Sequence, residues 1–224
     1  MEQGQNVAMS DTVYLHLRDM ILSMEIKPGD RIPEAKIAKQ FGISRTPIRE
    51  AIKRLASDGI VNVYPNRFAE VATFSNDRVR ETGLVRIALD VLAARLAVFH
   101  GSNYDFSIME QYLEECQKAA EQNNVAARIR MNCAFHLELS KISKNNELYE
   151  LQRGLYLKME FMQACKYCQV ETPEEQYRQH KAIMRALYER NEEELVKVIV
   201  KHDQRFHMLK DVNIGLFQGI SNET

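Results

Sequence analysis

No run of about 18 apolar residues occurs in the 224-residue sequence, so no membrane-spanning helix is expected. The opening MEQGQNVAMS has no basic stretch leading into an apolar one. That argues against a secretory signal and for a flexible lead-in over residues 1–10. Cysteine is scarce, at positions 116, 133, 165 and 168, and without an export signal these are expected to be reduced thiols in a cytoplasmic protein. Cys165 and Cys168 form a lone CxxC; a zinc ribbon needs a second pair and a thioredoxin-like motif needs a βαβ setting, so a plain helical segment is expected there. There is no HExxH motif, no internal repeat and almost no strand pattern. The net charge is only −1, which by itself argues against nucleic acid as a partner.

What is present is distributed unevenly. Residues 1–74 hold ten Lys/Arg against nine Asp/Glu, a net +1, and the remainder holds twenty against twenty-two, a net −2. The positive charge is concentrated between Glu34 and Gly59, a stretch that reads as two short helices joined by a turn. Ile48, Ile52 and Leu55 recur at i, i+4 and i+7 and give the second helix one core-facing stripe. Gly42 marks the turn, Ser44 is placed as N-cap, Pro47 falls in the first turn and Gly59 stands where the helix should stop. The outward face carries Arg45, Arg49, Lys53 and Arg54 against Glu50 alone, four cations to one anion. Ser44, Arg45, Thr46 and Arg49 lie early in this helix, the part of a recognition helix that meets base edges. A first helix over 11–24, with Val13, Leu17, Met20 and Ile21 inward, precedes it. Ile60–Tyr64 and Ala69–Thr73, around Pro65-Asn66, read as a short two-stranded wing, with Asn66 and Arg67 at its tip as candidate DNA contacts.

SRTPIREAIKRLASDGIV resembles the signature of the GntR family of bacterial transcription regulators, and ILSMEIKPGDRIPEAKIAKQFGI resembles the family's preceding helices. Together they cover residues 11–64, and the resemblance implies a winged helix–turn–helix that binds double-stranded operator DNA. The wing tip lacks the family's usual glycine, with Asn66 able to take the left-handed conformation instead. Ala35 stands where some relatives carry a base-contacting arginine, which implies a different operator.

After a polar linker at residues 75–78, the pattern is helical throughout, with helices expected near 79–99, 105–122, 124–143, 146–169, 173–190 and 192–212, and a tail over 215–224. Thr172-Pro-Glu-Glu175 and Asn191-Glu-Glu-Glu194 read as capping boxes. Polar residues fall on otherwise apolar stripes: Asn132 and His136 with Ile129 and Leu139, His180 with Ile183 and Leu187, His202 with Leu195 and Ile199, and Arg86 and Asp90 with Ala93 and Ala97. Buried polar groups need partners, and three neutral imidazoles around a divalent ion are one well-attested arrangement. Hydrogen-bonded core histidines are the other. Such ligands must be neutral, so metal occupancy is expected to fall below the ordinary histidine pKa of about 6.5. His16, His100 and His207 are off these stripes.

The region from residue 79 to 214 resembles the ligand-binding (FCD-type) domain of the family's FadR-type branch, on Arg86-Ile-Ala-Leu-Asp90, Asn132-Cys-Ala-Phe-His136, His180-Lys-Ala-Ile-Met-Arg-Ala-Leu187 and His202. The resemblance implies that Asn132, His136, His180 and His202 hold a divalent metal (zinc, nickel or manganese), with Asn132 where many relatives have aspartate. It further implies a homodimer and a small carboxylate effector met by Arg86 and Asp90. The expectation is therefore a mainly α protein: a winged helix–turn–helix over 11–74 and an antiparallel all-α bundle over 79–214, acting as a transcription regulator and as a repressor. Two alternatives stay open, a metal-responsive regulator without organic effector and a three-histidine metal hydrolase.

Overall fold

The computed structural model describes residues 2–170 and 172–209, without the side chains of 2–7 and 166–170. Cys168 lies in a helix, as expected, but its side chain, the end of the last expected helix and the expected tail at 215–224 lie outside what is described. The chain divides into two compact units, one of residues 1–74 with 160–165 and one of residues 75–159 with the chain from 166.

The first unit contains α1 (Glu2–Leu22), α2 (Glu34–Phe41), α3 (Arg45–Ser57) and the hairpin β1 (Val61–Tyr64) and β2 (Phe68–Val71). Its helix α1 begins well before residue 11, so residues 2–10 are helical, not a flexible lead-in; Ser10 is already buried. Val13, Leu17, Met20 and Ile21 from α1 meet Ile48, Ile52 and Leu55 from α3 in the core, with Ile37, Ile60 and Val71. Gly42 closes α2 at φ 63°, in the left-handed region that glycine takes without a Cβ clash. The hairpin pairs Val61 with Val71 and Tyr64 with Phe68. Its turn is closed by the Arg67 N–H donating to the Tyr64 carbonyl at 3.0 Å, with Pro65 second and Asn66 at φ 58°, so asparagine meets the left-handed requirement without glycine. A bridge from Arg31 to Glu70 adds a third, short edge that the sequence pattern did not reveal.

The second unit consists of α4 (Asn76–His100), α5 (Asn103–Glu121), α6 (Val125–Ile142), α7 (Asn146–Val170, apart from its residues 160–165), α8 (Pro173–Tyr188) and α9 (Glu192–Phe206). The polar segment expected as a linker is the start of α4: Ser75 caps it, its hydroxyl accepting from the Arg78 N–H at 3.1 Å, and Asp77 sits in the first turn where the helix dipole favours an anion. Helix α4 packs on α6 and α9, α5 on α6 and α8, and α8 on α9. The apolar core runs through Ala93, Phe106, Met109, Phe135, Leu139, Ile183, Leu187, Leu195 and Ile199. Helix α8 keeps half of its expected capping box: Thr172 Oγ1 accepts from the Glu175 N–H at 3.2 Å, while the Glu175 carboxylate is drawn elsewhere. The complete box lies at Ser102–Asp105.

Candidate nucleic-acid interface and metal centre

Ser44, Arg45, Thr46, Arg49, Lys53, Asn66 and Arg67 are all exposed in the first unit. Arg49 and Lys53 from α3 and Asn66 and Arg67 from the wing line one groove of about 410 Å³, with Glu34 and Tyr64. Arg49 Nε stands 3.4 Å from Glu34 Oε2 in an exposed pair, which holds the arginine only weakly. Ser44 occupies the N-cap position with extended backbone, but its side chain makes no capping hydrogen bond; the start of α3 keeps its donors open, as an anion-binding helix end does. Arg54 is exposed as well and has contacts of its own. Its guanidinium pairs with Asp11 and lies 4.4 Å from the centre of the Tyr14 ring, so it ties α3 to α1. Tyr14 completes that joint by donating to Asp58 Oδ2 at 2.8 Å, and burial, then Asp58, pushes its hydroxyl up to about 12.

In the second unit His136 from α6, His180 from α8 and His202 from α9 are buried and converge. His136 Nε2 lies 3.1 Å from His202 Nε2 and 3.2 Å from His180 Nε2, and the three donor atoms lie within 4.8 Å of one another. Imidazole nitrogens about 2.0–2.1 Å from one ion and about 90–110° apart would stand roughly 3.0–3.4 Å from each other. The donor set fits: a divalent cation satisfies all three lone pairs together, whereas a proton on one nitrogen serves its neighbours poorly. Burial, then the charge of Arg86, lowers His180 to about 3, and burial first also holds His136 and His202 well below the ordinary value. All three are therefore neutral at pH 7.

Each ring is held differently. His180 stacks on Phe135 with ring centres 4.5 Å apart. His136 is parallel to Tyr156, with centres 5.9 Å apart. His202 Nδ1 lies 2.6 Å from Gln179 Oε1. Asn132 is buried one turn before His136, and its Oδ1 accepts from Gln176 Nε2 at 2.9 Å.

Arg86 and Asp90 do not form the open effector contact that the resemblance implied. Arg86 Nε donates to Asp90 Oδ2 at 3.1 Å, and Nη2 stands 2.8 Å from Asp203 Oδ1, close enough to pair but too oblique for a hydrogen bond. Tyr156 donates its hydroxyl to Asp90, 2.8 and 2.6 Å from its two oxygens, and Gln152 donates to it as well. The arginine is thus consumed by two buried carboxylates, because two anions cannot be buried beside each other without a cation. Sequence reasoning missed Gln152, Tyr156, Gln176, Gln179 and Asp203; their one signal was position, since Asp203 follows His202 and Gln179 precedes His180. His207 is buried at the end of α9, its Nδ1 2.9 Å from the Val79 carbonyl and its ring against Gly83, outside the three-histidine cluster. Cys116, Cys133 and Cys165 form no disulfide, and burial pushes the Cys116 thiol up to about 11, where it is inert.

Residues 9–71 match the family model described as bacterial regulatory proteins, gntR family, and residues 81–205 match that of the FCD domain. An HTH-type transcriptional regulator of Bacillus subtilis, YdhC, is 30% identical over 190 residues, 84% of this chain and 85% of that protein. The HTH-type transcriptional repressor RspR of Escherichia coli is 26% identical over 196 residues, 88% and 86% of the two chains. The solved structure of E. coli McbR/YncC covers 90% of this chain and 96% of its own at a TM-score of 0.75 and 24% identity. These relatives are regulators and not enzymes, which sets aside the hydrolase alternative. Among the described residues no helix is long and apolar enough to cross a membrane. The chain belongs to the gntR family of bacterial regulatory proteins and is a DNA-binding transcription regulator with an FCD domain.

Proposed function

We propose that this regulator is a cytoplasmic repressor that binds near-palindromic operator DNA as a homodimer and is released by a small carboxylate metabolite held beside a divalent ion. The observation that carries the ligand half is the convergence of three buried, neutral imidazole Nε2 atoms from three helices. His136, His180 and His202 would hold the ion, with the Asn132 amide oxygen beside them. The ion, when bound, supplies a double positive charge and open positions for a carboxylate. A relative named as a repressor supports the direction of control. The effector can shift the DNA-binding arrangement only by its differential affinity for the two states.

A second reading, in which the metal alone is the signal, is favoured by one observation: Arg86 and Asp90 are engaged with each other and with Asp203, leaving no free carboxylate clamp at that end of α4. Titrating operator affinity with zinc, nickel and manganese, with and without short mono- and dicarboxylates, separates the readings. A response to metal alone favours the second; no response to either removes both.

On DNA, Arg49→Ala is expected to cost about 1–3 kcal/mol of specific binding by losing a bidentate base contact. Lys53→Ala should weaken matched and scrambled duplexes alike and flatten the salt dependence. Fluorescence anisotropy at several salt concentrations tests both; undiminished specificity without Arg49 would take that residue out of the readout.

The homodimer is supported by an exposed apolar stripe on α4. Val85, Leu92 and Phe99, seven residues apart, are 55%, 44% and 82% exposed, more apolar side chain than a solitary helix face normally leaves in water. Leu92→Glu should yield a monomer in sedimentation velocity and lose roughly 10²–10⁴-fold of operator affinity with the second recognition helix. A Leu92→Glu protein that still sediments as a dimer would place the interface elsewhere.

A further inference from the structure

We infer that Glu175 and Gln179 on α8 are positioning residues that set the tautomer of His202 and so hold its Nε2 as a metal ligand. Glu175 is partly exposed, and its carboxylate accepts from Arg178 and Arg205 in addition to Gln179. Gln179 Nε2 donates to Glu175 Oε1 at 3.1 Å. A carboxylate can only accept at neutral pH, so it dictates which end of the Gln179 amide faces it. The amide nitrogen must turn outward and the amide oxygen inward. That oxygen lies 2.6 Å from His202 Nδ1. An amide oxygen cannot donate, so Nδ1 must carry the ring proton. Nε2 is then left with a lone pair, and it is Nε2 that points at His136.

His180 lacks this device. His180 Nδ1 is buried without a hydrogen-bond partner, and its ring is fixed by stacking on Phe135. The tautomer of His202 is therefore specified from outside the cluster by a residue that touches no ligand atom. It also accounts for the incomplete capping box at the start of α8. The Glu175 carboxylate, which local sequence rules would send back to the N-cap, is directed to Gln179 and the arginines instead. The lining of the outer groove between α8 and α9, which includes Glu175, Gln179 and His202, makes this chain reachable from solvent.

This inference rests on the metal reading, and its test separates the two. Metal-free protein labelled with ¹⁵N at histidine reports the His202 tautomer by long-range ¹H–¹⁵N correlation, while competition against a chromophoric chelator reports zinc affinity. In the wild type His202 should be the Nδ1–H tautomer. Gln179→Leu removes the acceptor and should give a tautomer mixture and about 10–100-fold weaker zinc binding. In the swapped double variant Glu175→Gln with Gln179→Glu the outer hydrogen bond runs the other way, from the new amide at 175 to the new carboxylate at 179, and that carboxylate still offers His202 Nδ1 only an acceptor, so both readouts should be restored; a residue acting only through packing would not be rescued this way. An Nε2–H tautomer for wild-type His202, or zinc binding by Gln179→Leu as tight as wild type, would overturn the inference. Wild-type protein that binds no zinc would instead overturn the metal reading, and the tautomer measurement would still decide the role of Gln179.

Discussion

Replacing Arg86 by methionine is expected to destabilise the helical unit by about 3–5 kcal/mol, because it leaves two buried carboxylates without their cation. Arg86 is 1% exposed, Asp90 1% and Asp203 0%. In the wild type the guanidinium stands 3.1 Å from Asp90 Oδ2 and 2.8 Å from Asp203 Oδ1. Tyr156 and Gln152 can still donate to Asp90 in the variant, but among the described contacts no second cation faces Asp203. The effect depends on pH with a defined sign. Burial raises the Asp203 carboxyl well above its ordinary value, more than Arg86 lowers it, with Asp90 adding to the rise. A group whose pKa is raised on folding contributes stability that is fully present below its unfolded value of about 3.9 and is lost as pH rises through the folded value. Without Arg86 that loss grows, so the variant should be further below wild type at pH 8 than at pH 5. Replacing Asp90 and Asp203 by leucine together with Arg86→Met should recover much of the deficit, since an apolar set of similar volume leaves no charge to compensate. Urea unfolding of the metal-free proteins at both pH values is the measurement; an Arg86→Met protein within about 1 kcal/mol of wild type at pH 8 would contradict the account.

His180→Ala should abolish metal retention, from about one divalent ion per chain to none that survives desalting, since two imidazoles are left of a three-imidazole set. The pH dependence differs from the one that free histidine suggests. In the metal-free fold His180 is lowered to about 3, by burial and then by Arg86, and His136 and His202 are held low for the same first reason. A lowered pKa contributes stability that is present above the unfolded value of about 6.5 and is lost as pH falls toward the folded value. Two consequences follow for the wild type. Metal-free protein should lose stability steadily from pH 6.5 downward. Bound metal should be retained at pH 5.5, where exposed histidines are mostly protonated, and leave only as the fold is lost. Elemental analysis after dialysis at pH 7.5 and 5.5, paired with circular dichroism, reads both. Equal absence of metal from wild type and His180→Ala under metal-replete conditions would return the three rings to core packing.

The helices were legible because their signals are local. Ile48, Ile52 and Leu55 at helical spacing, Gly42 at its turn and the caps at Thr172 and Asn191 each act within a few residues, and each recurs in the structure. Local rules failed where a polar segment had two readings. SNDR looked like a linker and is the cap and first turn of α4, because the same short polar residues serve both. The stripes on α6, α8 and α9 were enough to bring His136, His180 and His202 into one interior, since each stripe can face only the core.

What the sequence by itself determined, then, was which faces are buried and which helix carries the cations. Periodicity and capping are properties of neighbouring residues, and a buried stripe must find an interior whatever the order of packing. The tertiary structure alone decided which polar group answers which. Arg86 looked available for a ligand on its own helix, and only the packing of α9 on α4 brings Asp203 against it. Arg54 looked like one of four outward cations, and only α1 supplies Asp11 and Tyr14 to hold it. Gln179 carried no signal beyond its place before His180, and only the pairing of α8 with α9 gives it His202 on one side while Glu175 directs it from the other. A buried polar group is stable only when paired. Its partner comes from whichever element lies opposite, and that depends on contacts between segments far apart in the chain.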